Sequence, residues 1–263
     1  MLGDKRVLVT GAAGGMGREI AIEAARQGST RVGITDINVD ELAVTEKLVR
    51  DEGAEVCAVR ANLRAAGEIR AMVDEVASWA GGLDTLFNNA GVLDQFFTDG
   101  GTDVDTLSEE AWDAVYDINI KAVWLATKFA TPHLRASDRG PSIVNAASVS
   151  GLTGYTMAAY SSSKGAVIQL TRSTAVNLAP HIRANCYTPG SIKTPMSDAH
   201  LDAAEDKEAT ARAMFGTHLI PRRGYVNEVA KVACFLASDD ASFVTGGVIP
   251  VDGGTMAWRG VRD

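Results

Sequence analysis

At 263 residues, 46% hydrophobic and 22% charged, the chain is long enough to bury a sizeable core within one large α/β unit and needs no second domain. A formal charge of -8 with no clustered run of Lys and Arg speaks against a nucleic-acid partner. Cys57, Cys186 and Cys234 stand far apart with no ligand-spaced His or Cys, so neither a disulfide framework nor a metal site is expected, and no apolar run reaches membrane-spanning length.

The first residues carry Asp4, Lys5 and Arg6 where a signal peptide would need apolar side chains, and the expected location is cytoplasmic. Residues 6–10 are a short apolar run, the pattern of a buried parallel strand. Gly11-Ala12-Ala13-Gly14-Gly15-Met16-Gly17 follows, and then a helical pattern with Ile20, Ala21, Ala24 and Ala25 on one side and Gly28 as its stop. A plain tight turn would need one or two glycines. Four in seven residues, between a strand and a helix, fit a loop whose backbone approaches a phosphate at the helix N-terminus. A second strand, 31–35, ends at Asp36, an acid placed to accept both hydroxyls of an adenosine ribose and to repel a 2′-phosphate. NAD(H) is therefore expected over NADP(H), with Arg18 as the one nearby cation that could favour the phosphate.

Helices over 40–53 and 67–80 alternate with strands over 55–61 and 83–87. Such alternation implies a parallel sheet covered on both faces, with ligands at the carboxyl ends of the strands. Asn62 and Asn88-Asn89-Ala90-Gly91 lie at such ends, where asparagine is also an ordinary turn residue. Residues 92–108 form a loop with Phe96 and Phe97 as its only aromatics. A long helix over 107–135 has Ser108 as its N-cap and Asn119 in its middle, where asparagine is usually solvated. A fifth strand, 141–147, delivers Ser148, and a helix over 158–178 carries Tyr160 and Lys164. A sixth strand, 182–187, runs into Pro189-Gly190-Ser191-Ile192-Lys193-Thr194; a helical lid is expected within about 191–218, an outer helix over 226–237 and a seventh strand over 248–251.

Residues four apart share a helix face, so the Tyr160 phenol and the Lys164 ammonium can face one space. A cation beside a phenol favours the phenolate and moves it towards the working range of a general base. Standing alone, Tyr and Lys at helical spacing usually mean a solvated face.

Taken in order, Thr10-Gly11-x-x-x-Gly15-x-Gly17, Asn88-Asn89-Ala90-Gly91, Ser148, Tyr160-x-x-x-Lys164 and Pro189-Gly190 resemble the short-chain dehydrogenase/reductase family, and the likeness covers nearly the whole chain. The resemblance implies a single Rossmann-like, doubly wound, seven-stranded parallel sheet and a homotetramer. It implies Tyr160 as general acid/base, Ser148 as the substrate-oxygen donor, Lys164 on the nicotinamide ribose and Asn119 holding a relay water. For the cofactor it implies Gly11, Gly14, Gly15, Met16, Gly17, Asp36, Asn62, Leu63, Asn89, Ala90, Gly91, Pro189, Ile192 and Thr194, besides Tyr160 and Lys164. Three features depart from the family's pattern: Asn62 where Asp is frequent, a longer 92–108 loop, and a second phenol, Tyr155, five residues before Tyr160. The function expected is hydride transfer between NAD(H) and a secondary alcohol or ketone. A non-catalytic NAD(H)-binding sensor is the alternative, and a scaffold would have no use for the glycine loop. Phe96, Leu152, Tyr155, Tyr187 and Met196 would line an apolar substrate pocket for a cyclic, aromatic or terpenoid compound, unless they pack beneath the loops.

Overall fold

The computed structural model describes residues 1–202, 204–216 and 218–257. Its seven strands are β1 (Arg6–Thr10), β2 (Arg31–Asp36), β3 (Glu55–Arg60), β4 (Thr85–Asn88), β5 (Ser142–Ala146), β6 (Arg183–Pro189) and β7 (Val248–Val251). They form one all-parallel sheet in the order β3-β2-β1-β4-β5-β6-β7. The strand order reverses between β1 and β4, which opens a crevice at their carboxyl ends.

The central strands are apolar throughout because both of their faces are covered. Val7 and Val9 of β1 join a core with helices α1 (Gly15–Arg26), α2 (Val39–Asp51) and α9 (Val226–Ala237). Leu8, between them, faces the opposite core with α3 (Ala66–Ala80) and α5 (Ala122–Arg135). The same alternation repeats at Phe87 against Leu86 in β4 and at Val144 against Ile143 in β5. A period of two thus assigns each side chain to a layer.

Capping sets several helix starts. Asn38 accepts from the Glu41 amide at 3.2 Å to begin α2, and Ser108 accepts from the Ala111 amide at 3.2 Å to begin α4 (Glu109–Tyr116). The expected single helix over 107–135 is in fact α4 and α5 joined by a π-helical turn, Asp117–Lys121. Asn119 sits in that turn and is fully buried, unlike an ordinary mid-helix asparagine. The extra residue of a π-turn is invisible to a 3.6-residue pattern and is often placed at functional sites. The lid region contains two short helices, α7 (Pro195–Asp202) and α8 (Lys207–Phe215), and α6 (Ala158–Leu178) is the long helix that carries Tyr160. Trp258, expected to meet a neighbouring subunit, lies outside the described residues.

At the opposite end of the sheet, the fully buried Asp84 accepts from the Arg6 amide at 2.7 Å, Arg6 Nε at 2.8 Å, Arg6 Nη2 at 2.6 Å and the Ser137 hydroxyl at 2.6 Å. This cluster ties the start of β1 to the start of β4. Among the described residues no helix is long and apolar enough to cross a membrane.

Candidate active site

The glycine loop is built by close approach. Gly11 has φ +67°, and a Cβ there would stand 2.7 Å from Ala90 Cα; one on Gly17 would stand 2.1 Å from the Gly11 oxygen. No side chain fits at either place, so the ends of β1 and β4 and the start of α1 lie in contact. At Gly14, by contrast, a Cβ would meet nothing within 4 Å. Gly14 is the N-cap of α1 and supplies no side-chain cap, leaving first-turn amides for a ligand.

These residues open onto a cleft of about 340 Å³. Of the expected cofactor residues, Gly11, Gly14, Gly15, Met16, Asp36, Asn62, Leu63, Asn89, Ala90, Gly91 and Thr194 line it. Gly17, Pro189, Ile192, Tyr160 and Lys164 do not: Gly17 is pressed against Gly11, Pro189 pairs with Val251 inside the sheet, Ile192 is buried in a bridge to Gly224, and Tyr160 and Lys164 lie on α6. The first three support the wall from behind. Thr194 reaches over the loop, 3.6 Å from where a Gly15 Cβ would be.

Asp36 lines the cleft while accepting from the Ala13 amide at 3.1 Å and the Asn38 amide at 3.1 Å, which couples the acid to the glycine loop. Arg18 is engaged elsewhere: it donates to Thr45, to the Ala13 carbonyl and to Glu41. Asn62 Oδ1 accepts from the Arg64 amide at 3.0 Å and keeps a second lone pair. Asn89 is braced by donating to the Thr10 and Gly11 carbonyls and accepting from the Tyr187 hydroxyl at 3.0 Å. Tyr187 is fully buried, and this corrects its placement in a substrate pocket: its hydroxyl holds Asn89, and its ring belongs to the core.

The candidate catalytic group adjoins the cleft at Gly91, and none of Asn119, Ser148, Tyr160 and Lys164 lines it. Ser148, at the end of β5, accepts from the Ser150 hydroxyl at 2.8 Å and from the Ser150 amide at 3.2 Å. A Cβ on Gly151 would stand 2.6 Å from the Lys164 carbonyl carbon, so only glycine lets this turn lie against α6. Lys164 is 4% exposed, and its ammonium donates to the Ala146 carbonyl at 2.9 Å, its single hydrogen bond among the described residues. Two donors of a buried ammonium thus remain for a ligand. Burial lowers the Lys164 pKa to about 8. The same nitrogen lies 5.8 Å from the Tyr160 ring centroid and 3.1 Å from where a Cβ on Gly91 would stand. Gly91 is therefore the point at which the catalytic group meets the glycine-lined cleft.

Burial pushes the Tyr160 phenol up; hydrogen bonds from Ser148 and Ser150 draw it down, and Tyr155 and Asp94 push it further up. The net direction is upward, which corrects the expectation that the protein's own groups lower it. Asn119 accepts from the Val92 amide at 2.8 Å and donates to the Val92 carbonyl at 3.0 Å and the Ser163 hydroxyl at 3.1 Å. Its side chain clamps the loop after β4 to α6.

Phe96, Leu152, Tyr155 and Met196 all keep substantial exposed surface, and Met196 lines the cleft. Sequence reasoning missed Ile37, Ala61, Val92, Ile118 and Pro195, which also line it. Ile37 carried a usable signal, since it is an apolar residue that directly follows the strand-end acid. The clamp formed by Ser163 carried none.

The family model described as Enoyl-(Acyl carrier protein) reductase matches residues 11–256. Cyclopentanol dehydrogenase of Comamonas sp. (strain NCIMB 9872) is 39% identical over 259 residues, covering 97% of this chain and 98% of that protein. Cyclohexanol dehydrogenase of Acinetobacter sp. (strain SE19) is 37% identical, covering 95% of this chain and 94% of that protein. The crystal structure of levodione reductase superposes with a TM-score of 0.90 at 30% identity, covering 98% of this chain and 100% of that one. The chain belongs to the short-chain dehydrogenase/reductase family, whose members are oxidoreductases that use nicotinamide cofactors.

Proposed function

We propose that the protein oxidises an apolar cyclic secondary alcohol to its ketone, and catalyses the reverse, with NAD(H) as cofactor. The observation that carries this reading is the meeting of Lys164 and the glycine-lined cleft at Gly91, with Tyr160 one helical turn from Lys164. A cofactor lying along the cleft would have its pyrophosphate on the free amides at Gly14 and Gly15 and its adenosine ribose on Asp36. The nicotinamide supplies the site that accepts or returns the hydride. Lys164 offers its two free donors to the neighbouring ribose. Ser148 holds the substrate oxygen, and Tyr160 takes the hydroxyl proton in oxidation and returns it in reduction. Holding the reactants in line removes much of the entropic barrier.

Two observations favour NAD(H) over NADP(H): Asp36 stands on the cleft wall, and Arg18 is tied to Glu41 and the Ala13 carbonyl rather than free to meet a 2′-phosphate. The cyclic, apolar substrate class rests on Met196 in the cleft wall, on the exposed apolar side chains Phe96, Leu152 and Tyr155, and on relatives named for cyclopentanol and cyclohexanol. Absorbance at 340 nm during incubation with NAD and a panel of cyclic, linear and polyhydroxylated alcohols tests it. Reduction of NAD by cyclopentanol-like alcohols in preference to sugar alcohols is the expected outcome; no turnover of any alcohol with either cofactor would sink it and favour a dinucleotide-binding sensor.

A further inference from the structure

The short 3-10 turn Asp94–Phe96 after β4 carries a carboxylate that the proposed reaction leaves without a task. Asp94 is 0% exposed, and no cationic side chain pairs with it among the described residues. Its two oxygens are instead spent on the first turn of α6: Oδ2 accepts from the Ala159 amide at 2.9 Å and Oδ1 from the Tyr160 amide at 2.7 Å. The residue at the N-cap of that helix is Met157, which has no side-chain acceptor. Asp94 therefore does from a distant loop what an N-cap Asp does locally, and it places its charge at the positive end of the helix. One of the two amides it grips belongs to the candidate acid/base residue itself. The loop makes a second attachment nearby, where the Ala158 amide donates to the Thr102 carbonyl at 3.2 Å. Gln95, the next residue in the turn, pairs with His200 of α7 at 3.0 Å, so the turn also touches the lid.

We propose that Asp94 is a positioning residue: its carboxylate fixes the backbone of Tyr160 and thereby the reach of the phenol towards Ser148 and the substrate oxygen. This rests on the reading of Tyr160 as the acid/base group. A capping carboxylate with no further role would stabilise α6 without affecting turnover in the folded enzyme. A positioning carboxylate controls the chemical step, because a misplacement of about an ångström costs on the order of a hundredfold in rate.

The test compares the full-length protein with Asp94→Ala and Asp94→Asn. Amide hydrogen exchange comes first, since it needs no substrate. In Asp94→Ala the amides of Ala159 and Tyr160 should exchange faster by roughly 10- to 100-fold, the scale of one hydrogen bond to a charged group, while strand amides of the core keep their protection. Steady-state kinetics follow: kcat should fall by roughly a hundredfold with KM and NADH affinity changed by no more than about threefold. Asp94→Asn, which keeps one acceptor oxygen, should recover part of both quantities, and it serves if Asp94→Ala does not fold. Unchanged exchange at Tyr160 overturns the proposal, as does a kcat kept within about twofold in a folded variant. If the unmutated protein turns over no alcohol, the proposed function falls on its own account, and the exchange at Tyr160 alone then decides whether Asp94 sets its backbone.

Discussion

Tyr160 is a phenol that the folded chain holds above its ordinary pKa, chiefly by burial, beside a lysine whose own pKa burial brings down to about 8. In alcohol oxidation the deprotonated phenol is the working form, so kcat/KM for oxidation should rise as pH climbs through the alkaline range. Ketone reduction needs the protonated form and should fall over the same range. A flat pH profile, or one in which oxidation falls or reduction rises with pH, would contradict the role given to Tyr160. Tyr160→Phe should lower turnover by at least about a hundredfold, with NADH affinity nearly unchanged in a fluorescence titration, since the glycine loop is untouched. At the other end of the cleft, Asp36→Ala should narrow the preference for NAD over NADP by removing like-charge repulsion of the 2′-phosphate. It should also loosen the Ala13 amide that Asp36 accepts from, so some loss of NAD affinity is expected in the same titration. Equal specificity constants for the two cofactors in the unmutated protein would remove the basis of this prediction.

Secondary-structure elements whose pattern is local were readable from the chain. Helices 158–178 and 226–237 and strand 248–251 occupy the residues expected of them, because an apolar period or a glycine stop bounds each one. The π-turn at Asp117–Lys121 and the cap on α6 were not readable, for a shared reason. Both depend on partners remote in sequence: Val92 and Ser163 for Asn119, Asp94 for Tyr160. The Arg6–Asp84 cluster is a third such case, and it bears on stability. Burial alone would raise the Asp84 pKa, but hydrogen bonds from the Arg6 side chain, the Arg6 amide and Ser137 outweigh it and hold the carboxyl below its ordinary value. A carboxyl so depressed contributes stability that is present above the ordinary carboxylate range and is lost as pH falls through the folded-state value. Arg6→Ala leaves that carboxylate buried without its partner and should cost about 3–5 kcal/mol in a denaturant titration at neutral pH, while the cofactor cleft at the far end of the sheet keeps its affinity in the folded fraction. A variant as stable as the unmutated chain would show that water replaces the guanidinium at no cost.

At the scale of the molecule, the βα alternation and the order of motifs were enough to expect a seven-stranded parallel sheet with its ligand at the strand ends, and the strand order places the crevice between β1 and β4. Side-chain direction was harder to anticipate: Tyr187 lies near the cofactor-side end of β6 yet turns into the core, and its hydroxyl finds Asn89. The outer surface raises the question of assembly. Trp124 on α5 is 47% exposed, Val176 near the end of α6 is 80% exposed, and Phe243 before β7 is fully exposed. The homotetramer that the family resemblance implies would cover such side chains at surfaces between copies of the chain. Light scattering at micromolar concentration should therefore return about four times the 27.7 kDa chain mass. Trp124→Glu should place a charge in the contact that α5 would make and shift the mass towards smaller species, with NADH affinity retained because Trp124 does not line the cleft. A monomer at that concentration, or a Trp124→Glu protein of unchanged mass, would remove α5 from the assembly surface.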